Sequence, residues 1–145
     1  MITYLDSSAL IKLYVPEAGS KRVSEFTRAL PHAVPFTHLH ELEMKNGLQL
    51  KRFRGEAMAK AIDASVQAID DDFATGVLSR PELNWFDVFR RAQELVSEHS
   101  ARIGCRSLDL LHVSSALLLE AAAFLTFDER QSRLARASGL KSAAL

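Results

Sequence analysis

Short apolar runs that alternate with longer helical patterns constrain the fold of this chain most. Residues 2–5 and 123–126 are such runs, and each has the composition of a buried strand. Further short strands are expected at 33–36 and 76–79, with another after Gly139. Strands that alternate with helices predict a parallel sheet covered on both faces. The predicted fold class is therefore α/β, with a short, mostly parallel sheet flanked by helices in three layers.

The helical segments have recognisable ends. Pro16 stops a first helix that begins at Ser7, and Thr37 and Asn84 are suitable N-cap residues for later helices. Gly139 is suited to terminate the last helix. Helices are predicted over residues 7–16, 17–30, 37–54, 55–74, from 84, from 108, and over 128–137.

The composition limits the classes of protein to consider. A chain of 145 residues without a linker, a repeat or a low-complexity tract is expected to form one domain, residues 1–145. Its only cysteine, Cys105, excludes an intrachain disulfide and a zinc site built from several thiolates. The 18 basic and 18 acidic residues cancel, so any site for a polyanion must be local. We find neither a secretory signal nor an apolar run of membrane-spanning length, and expect a cytoplasmic protein without membrane contact.

Two aspartates lie just after predicted strands. Asp6 comes after the first apolar run, and Asp128 lies two residues beyond the run that ends at Thr126. Ligands of open α/β sheets gather outside the carboxyl ends of the strands, which makes both residues candidates for chemistry. Each also has a structural interpretation. Asp6 suits a helix N-cap, and residues 128–131 read as a capping box in which Gln131 reaches back.

Two further acids occupy predicted helix positions where a charge is unexpected. Glu43 falls within about 40° of Leu39 on a helical wheel, which predicts that it faces inward, whereas Glu41 faces away. The same inward stripe would contain Leu42, Asn46, Leu50 and Phe53. Asp109 lies in the first turn of a strongly apolar helix. A salt bridge for Glu43 and the helix dipole for Asp109 are the structural alternatives.

Together these residues predict four carboxylates at one end of one sheet. At about 5 Å and an effective dielectric of about 20, each charged pair repels by roughly 3 kcal/mol, so a cation is needed among them. Oxygen ligands without clustered His or Cys favour Mg²⁺ or Mn²⁺ over zinc. Such ions support the hydrolysis of phosphate esters.

Four segments containing these acids resemble one family, the PIN-domain ribonucleases, and in particular the VapC-like toxins of bacterial toxin–antitoxin pairs. The segments are YLDSSAL at 4–10, LEMKNGL at 42–48, RSLDLLHV at 106–113 and LTFDERQ at 125–131. The resemblance implies a PIN-like sandwich and Mg²⁺- or Mn²⁺-dependent endoribonuclease activity.

The resemblance also implies roles for individual residues and partners. The four acids of the family correspond to Asp6, Glu43, Asp109 and Asp128 as catalytic residues and metal ligands, with Ser7 and Thr126 in support. The family is commonly dimeric, and a cognate antitoxin inserts into the active-site groove of its toxin members. RNA, an antitoxin and a second copy of the chain are therefore the expected partners.

Other polar residues allow weaker predictions. Four cations near the motif acids in sequence are candidates for binding RNA phosphates, although each also suits a solvated surface: Lys12, Lys45, Arg106 and Arg130. His112 is expected to be a hydrogen-bonded core histidine near the site. His38 and His40 are two residues apart and point in different directions on a helix, which disfavours a shared metal ion.

The remaining features indicate ordinary structure. Residues 70–72, three consecutive aspartates, are expected at a solvated helix end. Trp85 and Phe89 share a helix face suited to core or dimer packing.

Two other functions stay open at this stage. A catalytically silent PIN-like module could bind RNA or protein, although the intact set of four acids argues against it. An aspartate-nucleophile phosphotransferase would use Asp6, but the second aspartate typical of that chemistry is replaced by Ser8.

Overall fold

A computed structural model describes all residues from 1 to 145. The five strands are β1 (Thr3–Leu5), β2 (Val34–Pro35), β3 (Leu78–Ser79), β4 (Ala123–Leu125) and β5 (Lys141–Ser142). The eight α-helices are α1 (Ser7–Leu10), α2 (Ser20–Ala29), α3 (His38–Phe53), α4 (Ala59–Ala74), α5 (Trp85–Leu95), α6 (Ala101–Ile103), α7 (Ser107–Leu118) and α8 (Glu129–Ala137). A 3₁₀ turn over Ile11–Leu13 follows α1, and a π-helical turn over Val96–Ser100 joins α5 to α6.

All strand pairs are parallel. β4 lies between β1 and β5, and Tyr4 of β1 is in register with Phe124 of β4. β2 and β3 form a second parallel pair, which lies beside β1. The predicted α/β class with a parallel sheet flanked by helices is confirmed.

Neighbouring strand residues point to opposite sides of the sheet, and in β1 both sides carry apolar residues. Helices therefore cover both faces. Leu5 of β1 belongs to one apolar cluster, with residues of α1, α3 and α4 such as Met44. Tyr4 belongs to a second cluster, with residues of α5, α7 and α8 such as Val113 and Leu134. The first strand therefore lies between two buried clusters, and its carboxyl end is fixed from both sides.

Several helices differ from their predicted lengths. α1 has only four residues before the 3₁₀ turn, and the chain leaves helical geometry before Pro16. α4 starts at Ala59 rather than at Gly55, because Gly55 has a φ of +72° and separates it from α3. No helix combines the length and the apolar character needed to cross a bilayer.

The predicted inward stripe of α3 is wrong. Leu42 is 68% exposed and Phe53 is 85% exposed, and Asn46 and Leu50 are not buried either. The buried side chains of this helix are Leu39, His40, Met44 and Leu48. The buried face is rotated because His40, a polar residue, is inside. Its Nε2 bonds to the Leu5 carbonyl oxygen at 2.7 Å, and its Nδ1 accepts from the Thr37 N–H at 2.9 Å.

Candidate acidic active site

The four carboxylates singled out in the sequence line one pocket of about 310 Å³. β1 and β4 are parallel neighbours, so Asp6 and Asp128 follow strands that end at the same edge of the sheet. The first turn of α7 carries Asp109, and α3 carries Glu43. Four segments distant in sequence thus contribute one acid each. A larger cleft of about 670 Å³ contains only one carboxylate, that of Asp72, and is not a comparable site.

Asp6 is the most buried of the four acids, with 4% exposure. Its Oδ1 accepts hydrogen bonds from the Ser8 hydroxyl at 2.6 Å and the Ala9 N–H at 3.1 Å, and its Oδ2 accepts from the Thr126 hydroxyl at 2.5 Å. Burial raises the pKa of Asp6, and the hydrogen bonds from Ser8 and Thr126 oppose this effect only in part. Asp6 is the N-cap of α1 as well as a lining residue of the pocket, so its two sequence interpretations are compatible.

Glu43 is held by a buried chain of polar side chains. The Ser7 hydroxyl donates to Glu43 Oε1 at 2.9 Å, and His112 Nε2 contacts the same oxygen. On the other side of the ring, His112 Nδ1 bonds to the Tyr4 hydroxyl at 2.8 Å. Burial raises the pKa of Glu43, but the hydrogen bonds from His112 and Ser7 outweigh it and lower that pKa overall. The arrangement keeps Glu43 ionised.

The tautomer of His112 follows from its neighbours. Burial, followed in size by the nearby Asp6 charge, raises the pKa of Tyr4 well above its ordinary value, so the phenol keeps its proton and can donate to Nδ1. A neutral His112 then carries its proton on Nε2 and donates it to Glu43. His112 is the buried, hydrogen-bonded histidine that the sequence predicts.

Arg106 lies between the other two acids. Its Nη2 donates to Asp128 Oδ2 at 3.0 Å, and its Nε lies 3.5 Å from Asp109 Oδ2. The Arg106 backbone N–H also donates to Asp109 at 3.4 Å. Of the four cations suggested by sequence, this is the one that lines the pocket, where its charge offsets the repulsion between Asp109 and Asp128.

The other three cations lie outside the pocket lining. Lys12 Nζ donates to Glu17 at 3.1 Å and to the Ala18 carbonyl oxygen at 2.8 Å. Lys45 pairs with Glu41 at 2.7 Å. Arg130 is exposed in the first turn of α8.

The chemistry of the donors suits a hard divalent cation. No three carboxylate, imidazole or thiol groups lie close enough, as the side chains are placed, to surround one ion. Mg²⁺ does not require such a cage, because it is usually bound through one or two carboxylates and keeps several waters. The pocket offers carboxylate and hydroxyl oxygens, and buried Asp6 has hydrogen-bond donors but no cationic side chain in contact. These residues fit Mg²⁺ or Mn²⁺.

Two residues of the site were not singled out from the sequence. The Ser8 hydroxyl donates to Asp6 and accepts from the Phe127 N–H at 3.0 Å, which links the ends of β1 and β4. Ser8 lies inside the first motif, so its position next to Asp6 was the available signal.

Gln131 is the second such residue. The predicted capping box is wrong in one half: Asp128 accepts from the Gln131 N–H at 3.0 Å, but the Asp128 N–H donates to Thr126 instead of the Gln131 side chain. The Gln131 side chain is buried beside the pocket, and neither atom of its amide has a hydrogen-bond partner.

An α/β fold with parallel strands, helices on both faces and an acidic pocket beyond the strand ends defines the class of this protein. The PIN domain family matches residues 3–137, and the chain belongs to this family. Among solved structures, FitAcB from Neisseria gonorrhoeae is similar with a TM-score of 0.68 and 15% sequence identity, over 97% of this chain and 96% of that one. At this level of sequence identity, the similarity shows a shared fold and nothing more. No curated protein matches the chain in sequence.

Proposed function

We propose that this PIN-family protein is a Mg²⁺- or Mn²⁺-dependent endoribonuclease, and that it acts as a VapC-like toxin. The observation that carries the proposal is the convergence of Asp6, Glu43, Asp109 and Asp128 from four distant segments on one pocket. Isolated acids at strand ends and helix starts have structural explanations, but four around one cavity carry more negative charge than Arg106 alone offsets, so a further cation would stabilise them.

The residues of the pocket divide into two groups. Asp6, Asp109 and Asp128 would hold the cation, directly or through its bound waters, with Glu43 as a further ligand or as the group that orients the attacking water. A bound Mg²⁺ or Mn²⁺ supplies activation of water and neutralises charge on the phosphate.

The surrounding side chains position these acids. Ser8 and Thr126 fix both oxygens of Asp6, and Ser7 and His112 keep Glu43 ionised and fix its Oε1. Arg106 can move from Asp128 to the substrate phosphate, because its side chain is largely exposed.

As a toxin, the protein acts in the cytoplasm as one PIN domain, residues 1–145, with RNA as its substrate and a cognate antitoxin as its inhibitor. It forms a homodimer. Exposed apolar side chains on α5, Phe86 and Phe89, are available for contacts with either protein partner.

Cleavage of single-stranded RNA in Mg²⁺, with and without EDTA, tests the proposed activity. We expect Asp6→Asn and Asp109→Asn each to abolish cleavage, because each removes a negative ligand from the pocket. Asp63→Asn is a matched control, since Asp63 is an exposed aspartate of α4 outside this pocket. Full cleavage by both pocket variants would show that the activity belongs to another site or to a contaminant.

The same variants separate the alternatives. A silent binding module would bind RNA without any cleavage that depends on these acids. A phosphotransferase would form a phosphoryl-aspartate at Asp6, which its burial and its three hydrogen bonds disfavour.

A further inference from the structure

An exposed aromatic residue lies in the segment that joins β4 to α8, at the strand end where the acidic pocket lies, and has no role in the proposed hydrolysis. Phe127 is 42% exposed and lies between Thr126, which bonds to Asp6, and Asp128, which lines the pocket. Single exposed aromatic residues are common on protein surfaces. This one differs in its position, because it is next in sequence to two residues of the site.

The backbone of Phe127 is tied to the carboxylates. Its N–H donates to the Ser8 hydroxyl at 3.0 Å, and that hydroxyl donates to Asp6 at 2.6 Å. On either side of Phe127, the Thr126 hydroxyl donates to Asp6 and accepts from the Asp128 N–H at 3.0 Å. The ring is therefore attached to a segment whose position is fixed relative to Asp6.

One side of the ring is supported by the turn between α1 and α2. Lys12 Nζ lies 4.5 Å from the ring centroid, and Lys12 is itself held by Glu17 and the Ala18 carbonyl oxygen. A Cβ atom on Gly19 would lie 3.2 Å from Cε1 of Phe127, so the backbone packs directly against the ring. The turn therefore covers part of the ring, while 42% of Phe127 remains exposed.

We propose that Phe127 is a stacking platform for an unpaired nucleobase next to the phosphate held at the acidic pocket. The inference rests on the proposed ribonuclease function and specifies its substrate class as RNA with an unpaired base at the cleavage site. Every base has a π face, so an aromatic platform binds single strands with little sequence preference. A base inside a duplex is already stacked and cannot use the platform.

Binding measurements in a Glu43→Gln background, in Mg²⁺, test this proposal while slowing cleavage. We expect Phe127→Ala and Phe127→Leu to raise the Kd for a single-stranded RNA oligonucleotide by about 5- to 150-fold, the equivalent of about 1–3 kcal/mol per stacked base. Phe127→Trp should bind as tightly as the parent, since it keeps an aromatic face. Phe127→Leu separates stacking from simple apolar contact.

Phe53 offers a matched control, because it is an exposed phenylalanine at the end of α3 and neither of its neighbours in sequence lines the acidic pocket. Phe53→Ala should leave the Kd unchanged. In a Trp85→Phe background, which removes the one native tryptophan, the strand should quench the emission of Phe127→Trp but not of Phe53→Trp. Binding of a blunt duplex of the same sequence should be insensitive to Phe127→Ala.

The outcomes distinguish this inference from the function it rests on. The proposed stacking role of Phe127 is wrong if Phe127→Leu binds the single strand as tightly as the parent, or if Phe127→Ala weakens binding of duplex and single strand equally. Neither result would contradict acid-dependent cleavage. If the unmodified protein neither cleaves nor binds any RNA, both are wrong. Thermal unfolding of each variant ensures that a weak binder is a folded one.

Discussion

Asp6 illustrates the cost of placing a carboxylate inside a protein. Its raised pKa means that the folded state binds a proton at this group more tightly than the unfolded chain does. The contribution of Asp6 to stability is therefore most favourable at low pH, and it is lost as the pH rises through the raised, folded-state pKa. A neutral residue of the same shape avoids this cost.

We predict that Asp6→Asn stabilises the protein in EDTA at pH 7, by about 1 kcal/mol, while it abolishes cleavage. The gain should shrink below about pH 4, where the wild-type side chain is protonated in both states. Urea unfolding at the two pH values measures the effect. A variant that is less stable than the wild type at pH 7 would mean that the hydrogen bonds of Asp6 outweigh its burial.

The Glu43–His112 pair has the opposite effect on how stability depends on pH. The folded-state pKa of Glu43 is lowered, so its contribution to stability is present above the unfolded pKa and is lost as the pH falls through the folded value. His112 is the main source of this lowering, since its hydrogen bond to Glu43 is the largest effect that opposes burial.

We predict that His112→Ala moves the acid limb of the kcat profile to higher pH and lowers the free energy of unfolding at pH 7 by about 1–3 kcal/mol. His112→Gln should restore most of the pH profile, because its amide N–H can donate to Glu43. The measurement is kcat against pH for the three proteins. An unmoved acid limb in His112→Ala would show that Glu43 does not depend on this histidine.

At the scale of elements, the turn between α1 and α2 supports the end of β4. Gly19 has a φ of +88°, a left-handed conformation that is strained for other residues, and it packs on Phe127. Gly55 has a φ of +72°, and a Cβ atom added there would meet no other atom within 4 Å. The two glycines share the backbone strain and differ in their surroundings.

We predict that Gly19→Ala and Gly55→Ala both lower stability by about 1–2 kcal/mol through backbone strain. Only Gly19→Ala should also raise the KM for single-stranded RNA, because its methyl group displaces the Phe127 ring. Unfolding curves and cleavage kinetics, measured side by side for the two variants, test this prediction. An equal KM for the two variants would show that the position of the Phe127 ring does not affect substrate binding.

Contacts between elements decide how much of the structure the sequence predicts. The short strands and the four acids are predictable because buried strands need consecutive apolar residues and parallel strands end at a common edge. The buried face of α3 is not, since His40 is buried through a hydrogen bond to a strand 35 residues away in sequence. The Tyr4–His112 bond, over 108 residues, and the position of Arg106 between two acids likewise depend on tertiary packing. The capping box predicted for Gln131 is incomplete because the Asp128 N–H donates to the Thr126 hydroxyl instead.

At the scale of the whole molecule, the sheet brings together acids that the chain keeps apart. The sequence is neutral overall, yet one pocket collects four carboxylates around Arg106. The two apolar clusters fix the strand ends from both faces, so the carboxylates cannot separate to relieve their repulsion without loosening the core. A divalent cation should therefore stabilise the entire fold as it binds.

We predict that Mg²⁺ or Mn²⁺ raises the Tm of the wild-type protein. A ligand at 100 times its Kd adds about 2.7 kcal/mol, a rise of roughly 5–10 °C for a chain of this size. Asp109→Asn should lose most of the shift, since it removes a negative ligand, whereas Asp63→Asn should keep it. NaCl at matched ionic strength is the control for general screening, which affects all three proteins alike. Differential scanning calorimetry measures the transitions, and a shift that Asp109→Asn retains in full would place the cation outside this pocket.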